Sequence, residues 1–196
     1  MNPRVALVVG AGSPLGQQVA RGLAAEGFRV ALNDLLPNHI EPLALELGER
    51  VIAYPTDLSR KLSLQTTLQS ILETWRRIDV LVFIATTQPL TSLLDMDEWD
   101  WHRALDLNLT AAFLCMQSVG RVMRELGGGT LINVLPLEAK GSAVYAAAAA
   151  GLAALSESVA GEFAAHHIQV HSLVGDRANA RSVIQLCIGE TATKTK

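Results

Sequence analysis

An α/β fold, a Rossmann-like doubly wound parallel sheet of about six strands flanked by helices, is what this 196-residue sequence predicts. Short apolar runs alternate with longer segments of helical spacing, and the runs carry no polar alternation, as strands buried on both faces require. A glycine-rich turn joins the first run to the first helix, the junction where such folds approach phosphate groups.

Val5 to Val9 reads as the first strand, Leu15 to Glu26 as a helix stopped by Gly27, and Phe28 to Asp34 as the second strand, which completes a βαβ unit. A short helix near Glu41 to Leu47 closes at Gly48, a strand follows at Val51 to Tyr54, and a helix runs from Ser59 to Arg76. Ile78 to Ala85 is the fourth strand and Asp97 to Leu126 one long helix, broken by the glycines at 127 to 129. The pattern ends with a strand at Thr130 to Leu135, a helix from Ser142 to Ala165, a strand at Ile168 to Val174 and a last helix from Ala178 to Ile188. Residues 1–190 are expected to form a single domain. The segment 191–196 is polar, lacks periodicity and is expected to fray.

Composition narrows the function classes. Lys and Arg number 16 against 19 Asp and Glu, a net charge of −3, so no basic surplus exists to neutralise a nucleic acid backbone or an anionic membrane. Charged residues make up only 18%, below the roughly 25% of a typical domain, which suggests that a second subunit covers part of the surface. Cys115 and Cys187 sit in apolar helical sequence without disulfide or zinc spacing, and a reducing, cytoplasmic setting is expected. The apolar run 5–9 is too short for a signal-peptide core, and the stretch 143–155 falls short of the roughly 18 residues that span a bilayer. The five histidines show no metal spacing.

The chemistry-bearing segment is Gly10-Ala11-Gly12-Ser13-Pro14-Leu15-Gly16, between the first strand and the first helix. Its glycines let a pyrophosphate approach the backbone at a helix N-terminus, with Ser13 as N-cap and Pro14 as first helical residue, where a missing N–H costs no internal bond. Asp34 ends the second strand, the position from which a carboxylate accepts hydrogen bonds from an adenosine ribose. That order of loop, strand and acid predicts dinucleotide binding. Asp34 would also repel a 2′-phosphate, and Leu35 and Leu36 supply no compensating cation, so NAD(H) is expected over NADP(H). The competing reading is a plain tight turn followed by a loop acid.

With these residues in place, the sequence resembles the short-chain dehydrogenase/reductase family from Val5 to about Ile188. The family's GxxxGxG motif falls on Gly10, Pro14 and Gly16, its adenine-binding Asp on Asp57 beside Leu58, and its NNAG segment on Phe83-Ile84-Ala85-Thr86, of which only Ala85 matches. The resemblance therefore implies cofactor contacts at Gly10, Gly12, Ser13, Leu15, Gly16, Asp34, Asp57, Leu58 and Ala85. Asp57 reads equally as part of the cap of the next helix. Asn108, in Asn108-Leu109-Thr110, matches the catalytic Asn of the family's tetrad, and Tyr145 matches the Tyr of its YxxxK helix. The lysine position is Ala149 and the serine position Pro136. Alanine cannot lower the phenol's pKa or hold a ribose, and proline has neither hydroxyl nor N–H to offer a carbonyl. Ser142 reads as an N-cap and Lys140 as a solvated charge, so neither replaces them.

The substrate-covering loop and the seventh strand of the family are also expected to be missing, since Val174 is followed by Gly175-Asp176 and almost at once by the last helix. The expected function is an NAD(H)-binding protein of this family with impaired catalysis. The alternatives are an active NAD-dependent oxidoreductase on a small carbonyl or alcohol using Tyr145, and a structural partner that binds no nucleotide. A homodimer through the helices containing 108–123 and 145–165 is implied by the resemblance and by the Ala-rich run at 146–150.

Overall fold

The computed structural model describes residues 3–84, 87–135 and 142–189. Six strands, β1 (Val5–Val9), β2 (Arg29–Asp34), β3 (Val51–Pro55), β4 (Val80–Ile84), β5 (Gly129–Leu135) and β6 (Ile168–Val174), form one parallel sheet in the order β3-β2-β1-β4-β5-β6. The expected doubly wound architecture is therefore present. Every residue of β1 and β4 is buried, which is why both strands read as unbroken apolar runs.

Successive side chains point to opposite faces and so divide between two cores. Val5, Leu7 and Val9 of β1 pack with α3 (Lys61–Trp75), α5 (Ala111–Leu126) and α6 (Ala143–Ala164). Ala6 and Val8 pack instead with α1 (Pro14–Ala25), α2 (Pro37–Leu47) and α7 (Ala180–Ile188). An aspartate fixes where the central strands begin: the Val5 N–H donates to Asp79 Oδ2 at 2.7 Å, and Arg77 donates to both oxygens of the same carboxylate. Cys115 and Cys187 are free and buried, and burial pushes both thiols up to about 12.

Four helices depart from the sequence expectation, and the fourth strand starts at Val80 rather than Ile78. The second helix starts at Pro37 rather than near Glu41, because proline suits the first helical position and Pro42 removes a single ladder donor. The third begins at Lys61 rather than Ser59, because Ser59 is drawn into a turn by the Asp57 carboxylate. The long helix expected over 97–126 is three pieces: α4 (Glu98–Leu105), a π-helical turn over Asp106–Thr110, and α5. The last helix starts at Ala180, with the Asn179 side chain accepting the Ser182 N–H, rather than at Ala178. Ser142 is the N-cap of α6, as expected, its hydroxyl accepting the Tyr145 N–H.

The 22-residue α6 is apolar enough, by length and composition alone, to cross a membrane, although its apolar sequence core at 143–155 is shorter. Its inner face, Val144, Tyr145, Ala148, Leu152 and Ser156, is packed onto the sheet.

Candidate functional site

Between β1 and β4 the strand order reverses, and a crevice opens there at the carboxyl ends of the strands. It encloses about 410 Å³ and is lined by Gly10, Gly12, Asp34, Asp57, Thr87 and Asn108 among others.

The glycine loop forms one wall. Gly10 has φ +76°, and a Cβ there would lie 2.7 Å from the Ile84 carbonyl oxygen, so the turn admits only glycine. Ser13 caps α1 in both directions: its hydroxyl accepts the Gly16 N–H at 3.1 Å and donates to the Gly10 carbonyl at 2.8 Å. Pro14 has no N–H. Leu15 is therefore the first-turn residue whose N–H meets no acceptor among the described residues, at the end of the helix where an anion is stabilised. Gly16 packs so closely on Gly10 and Ala11 that a side chain would drive the helix off the loop.

Asp34 joins this loop to β2. Its Oδ2 accepts the Gly12 N–H at 3.0 Å and its Oδ1 the Leu36 N–H at 3.2 Å, while His39 Nδ1 stands 3.8 Å away. A carboxylate has about four acceptor sites, so about two remain open toward the crevice. A Cβ on Gly12 would come within 2.6 Å of Asp34 Oδ2 and 2.7 Å of His39 Cβ, which explains a glycine at the middle of the loop.

Asp57 stands opposite. Its Oδ1 accepts both the N–H and the hydroxyl of Ser59, at 2.9 and 2.6 Å, and its Oδ2 accepts Arg103 Nη1 at 3.0 Å. Burial pushes this carboxyl up, but the Ser59 and Arg103 contacts outweigh it and hold the group below its ordinary range. The Leu58 N–H beside it donates to no acceptor among the described residues.

Asn108, 1% exposed, sits on the π turn, a departure from α geometry that re-aims the residue toward the loop after β4. Its Oδ1 accepts the Thr87 N–H at 3.1 Å and its Nδ2 donates to the Thr87 carbonyl at 2.6 Å. Tyr145 is fully buried in the core around α5 and α6 and does not line the crevice; Ala149, one turn on, packs against the same core. Crevice and phenol are thus not brought together among the described residues. Ala85, Thr86, Pro136 and Lys140 lie outside the described residues. Sequence reasoning missed Thr87 and His39 as wall residues, and Arg103 as the partner of Asp57 behind the wall. Thr87 acts through its backbone, which leaves no signal in residue type; His39 reaches the crevice from α2, and Arg103 reaches Asp57 from α4.

The chain matches the short chain dehydrogenase family over residues 4–176 and belongs to it. The D-threitol dehydrogenase of Mycolicibacterium smegmatis is 31% identical over 180 residues, 88% of this chain and 69% of that protein. The 3-oxoacyl-[acyl-carrier-protein] reductase of Synechocystis is also 31% identical, over 88% of this chain and 73% of its own. A short-chain type dehydrogenase/reductase from Mycobacterium marinum superposes with a TM-score of 0.82 at 26% identity, covering 87% of this chain and 71% of that one. The family consists of oxidoreductases that use nicotinamide dinucleotides.

The low-lying Asp57 carboxyl has a consequence for stability. Ionised Asp57 stabilises the fold above its unfolded value of about 3.9, and that contribution is lost as the pH falls through the lower folded value. Asp57→Asn is expected to lower Tm at neutral pH, and the gap to the wild type is expected to close on acidification. Thermal denaturation followed across that range checks this, and a gap independent of pH contradicts it.

Proposed function

We propose that this protein binds NAD(H) in the crevice between β1 and β4 and has lost ordinary dehydrogenase turnover. The observation that carries the binding half is the pairing of Gly12 N–H with the Asp34 carboxylate, which ties the glycine loop to an acid that lines the crevice, while the Leu15 N–H that follows meets no acceptor among the described residues. Leu15 suits a pyrophosphate at a helix N-terminus, and Asp34 suits the adenosine ribose hydroxyls. The adjacent open positions of Asp57 and Leu58, one acceptor and one donor, match the amino group and ring nitrogen of adenine. Gly10, Ser13 and Gly16 shape the loop, and Ala85 completes the set by family resemblance. No Lys or Arg lines the crevice among the described residues, and Asp34 would meet a 2′-phosphate with like charge, so NAD(H) is favoured over NADP(H).

When bound, the nicotinamide supplies a hydride, and a general acid near the substrate carbonyl is needed to use it. This chain's own residues are poorly set for that part. Ala149 provides no cation to lower the Tyr145 phenol or hold the nicotinamide ribose, Tyr145 is enclosed in the core, and Asn108 is occupied with the Thr87 backbone. Pro136 offers no second donor to a carbonyl. A protein that binds the dinucleotide and serves as a binding or assembly subunit fits these residues best.

Assembly is proposed through α5 and α6, with a two-fold axis setting the same helices of two copies against each other. Only 28% of the apolar stretch of α6 is buried, Phe113 on α5 is 43% exposed, and Phe113, Met116, Gly120, Leu155, Val159 and Phe163 line a groove between the helices. The buried free thiols accord with a reducing, cytoplasmic setting.

Calorimetry is expected to show NADH binding at least tenfold tighter than NADPH, and assays with ketones, aldehydes and alcohols are expected to show negligible turnover. Ala149→Lys is expected to tighten NADH binding without restoring the roughly 10²- to 10⁴-fold of a well-placed acid. Comparable NADPH affinity overturns the cofactor preference, and robust wild-type turnover abolished by Tyr145→Phe establishes an active oxidoreductase. Absence of nucleotide binding leaves the purely structural reading. Sedimentation at micromolar concentration is expected to show a dimer that Phe113→Glu weakens; a monomer throughout rejects the interface.

A further inference from the structure

We infer that Arg103 is a positioning residue for the adenine end of the crevice, its guanidinium holding the Asp57 carboxylate so that one acceptor site stays open to an exocyclic amino group. The inference rests on the dinucleotide reading and adds to it a residue on a different element.

Asp57 belongs to the loop between β3 and α3, and Arg103 to α4, 46 residues further along the chain. Three of the four acceptor sites of the carboxylate are occupied: two on Oδ1 by Ser59 and one on Oδ2 by Arg103 Nη1 at 3.0 Å. The contact is sheltered, with side-chain exposures of 28% and 23%, so it is screened less than a surface pair. Asp57 and Leu58 both line the crevice, and the Leu58 N–H has no acceptor among the described residues. Arg103 thus leaves open one acceptor next to one donor, the pattern that separates adenine from a base bearing oxygen at the same carbon.

A competing cation stands on the outer side. Arg60 Nε lies 3.9 Å from Asp57 Oδ2 on a side chain that is 73% exposed. Both arginines line a second depression on the outside of Asp57, together with Trp99, His102 and Asp106. With Arg103 removed, Arg60 is the cation left near Asp57 among the described residues, and its longer contact on an exposed side chain fixes the carboxylate less firmly. Arg103 also sits on the helix that continues into the π turn, where Asn108 grips Thr87 on another part of the rim. One helical segment thereby sets the spacing of two crevice loops.

The experiment measures binding of NADH and of reduced nicotinamide hypoxanthine dinucleotide, which carries oxygen in place of the amino group, to the wild type, Arg103→Gln and Arg103→Lys. A hydrogen bond to a charged group is worth about a factor of ten in affinity. Arg103→Gln is expected to weaken NADH about tenfold and the hypoxanthine analogue less than twofold, and Arg103→Lys to recover most of the NADH affinity. Melting curves verify that each variant is folded. Equal losses for the two dinucleotides, or no loss for NADH, overturn the positioning role and leave the dinucleotide reading intact. Failure of the wild type to bind either dinucleotide rejects that reading and this inference with it.

Discussion

The hydrogen bond from the Gly12 N–H to the Asp34 carboxylate ties the turn after β1 to the end of β2, and the rest of the crevice is built around it. That contact needs a residue without a side chain at 12 and an acid at the last position of β2. It leaves the carboxylate half used, so the bond that shapes the loop also presents acceptors outward. Ser13 completes the turn by capping α1 and gripping Gly10, which leaves Leu15 as the first-turn residue whose N–H meets no acceptor among the described residues.

A second constraint comes from the helical segment that crosses the opposite rim. Its π turn costs regular helical bonding, and the return is an Asn108 side chain that replaces missing backbone partners for Thr87. Five residues earlier Arg103 holds Asp57. Asn108, whose match to the family's catalytic Asn is a resemblance, has a physical task here that does not require a reacting substrate: it holds the Thr87 backbone after β4. A protein that had lost turnover but kept its ligand would retain such a residue while its lysine and serine positions drifted to alanine and proline.

Much of the fold was legible because parallel strands buried on both faces leave unbroken apolar runs, as at Val80 to Ile84, and because Gly27 and Gly48 end helices where φ is positive. The π turn was not legible: Asp106 to Thr110 is ordinary helical sequence, and the extra residue in the turn is a response to Thr87, a tertiary contact. Starting the third helix at Ser59 failed for a local reason, since the Asp57 carboxylate takes the Ser59 N–H and hydroxyl into a turn of its own. In the crevice, the glycines and Asp34 announced themselves through residue type and spacing. Contacts proposed for a backbone N–H, as at Leu15 and Leu58, leave no trace in side-chain identity and rest on the family resemblance.

In the proposed function a dinucleotide takes up the Leu15 and Leu58 donors, which meet no acceptor among the described residues. Amide hydrogen exchange, read residue by residue with and without saturating NADH, addresses them directly. The expected result is slowed exchange at Leu15 and Leu58, with the amides of β6, on the far edge of the sheet, unchanged. Unaltered exchange at both amides in the presence of NADH would contradict it.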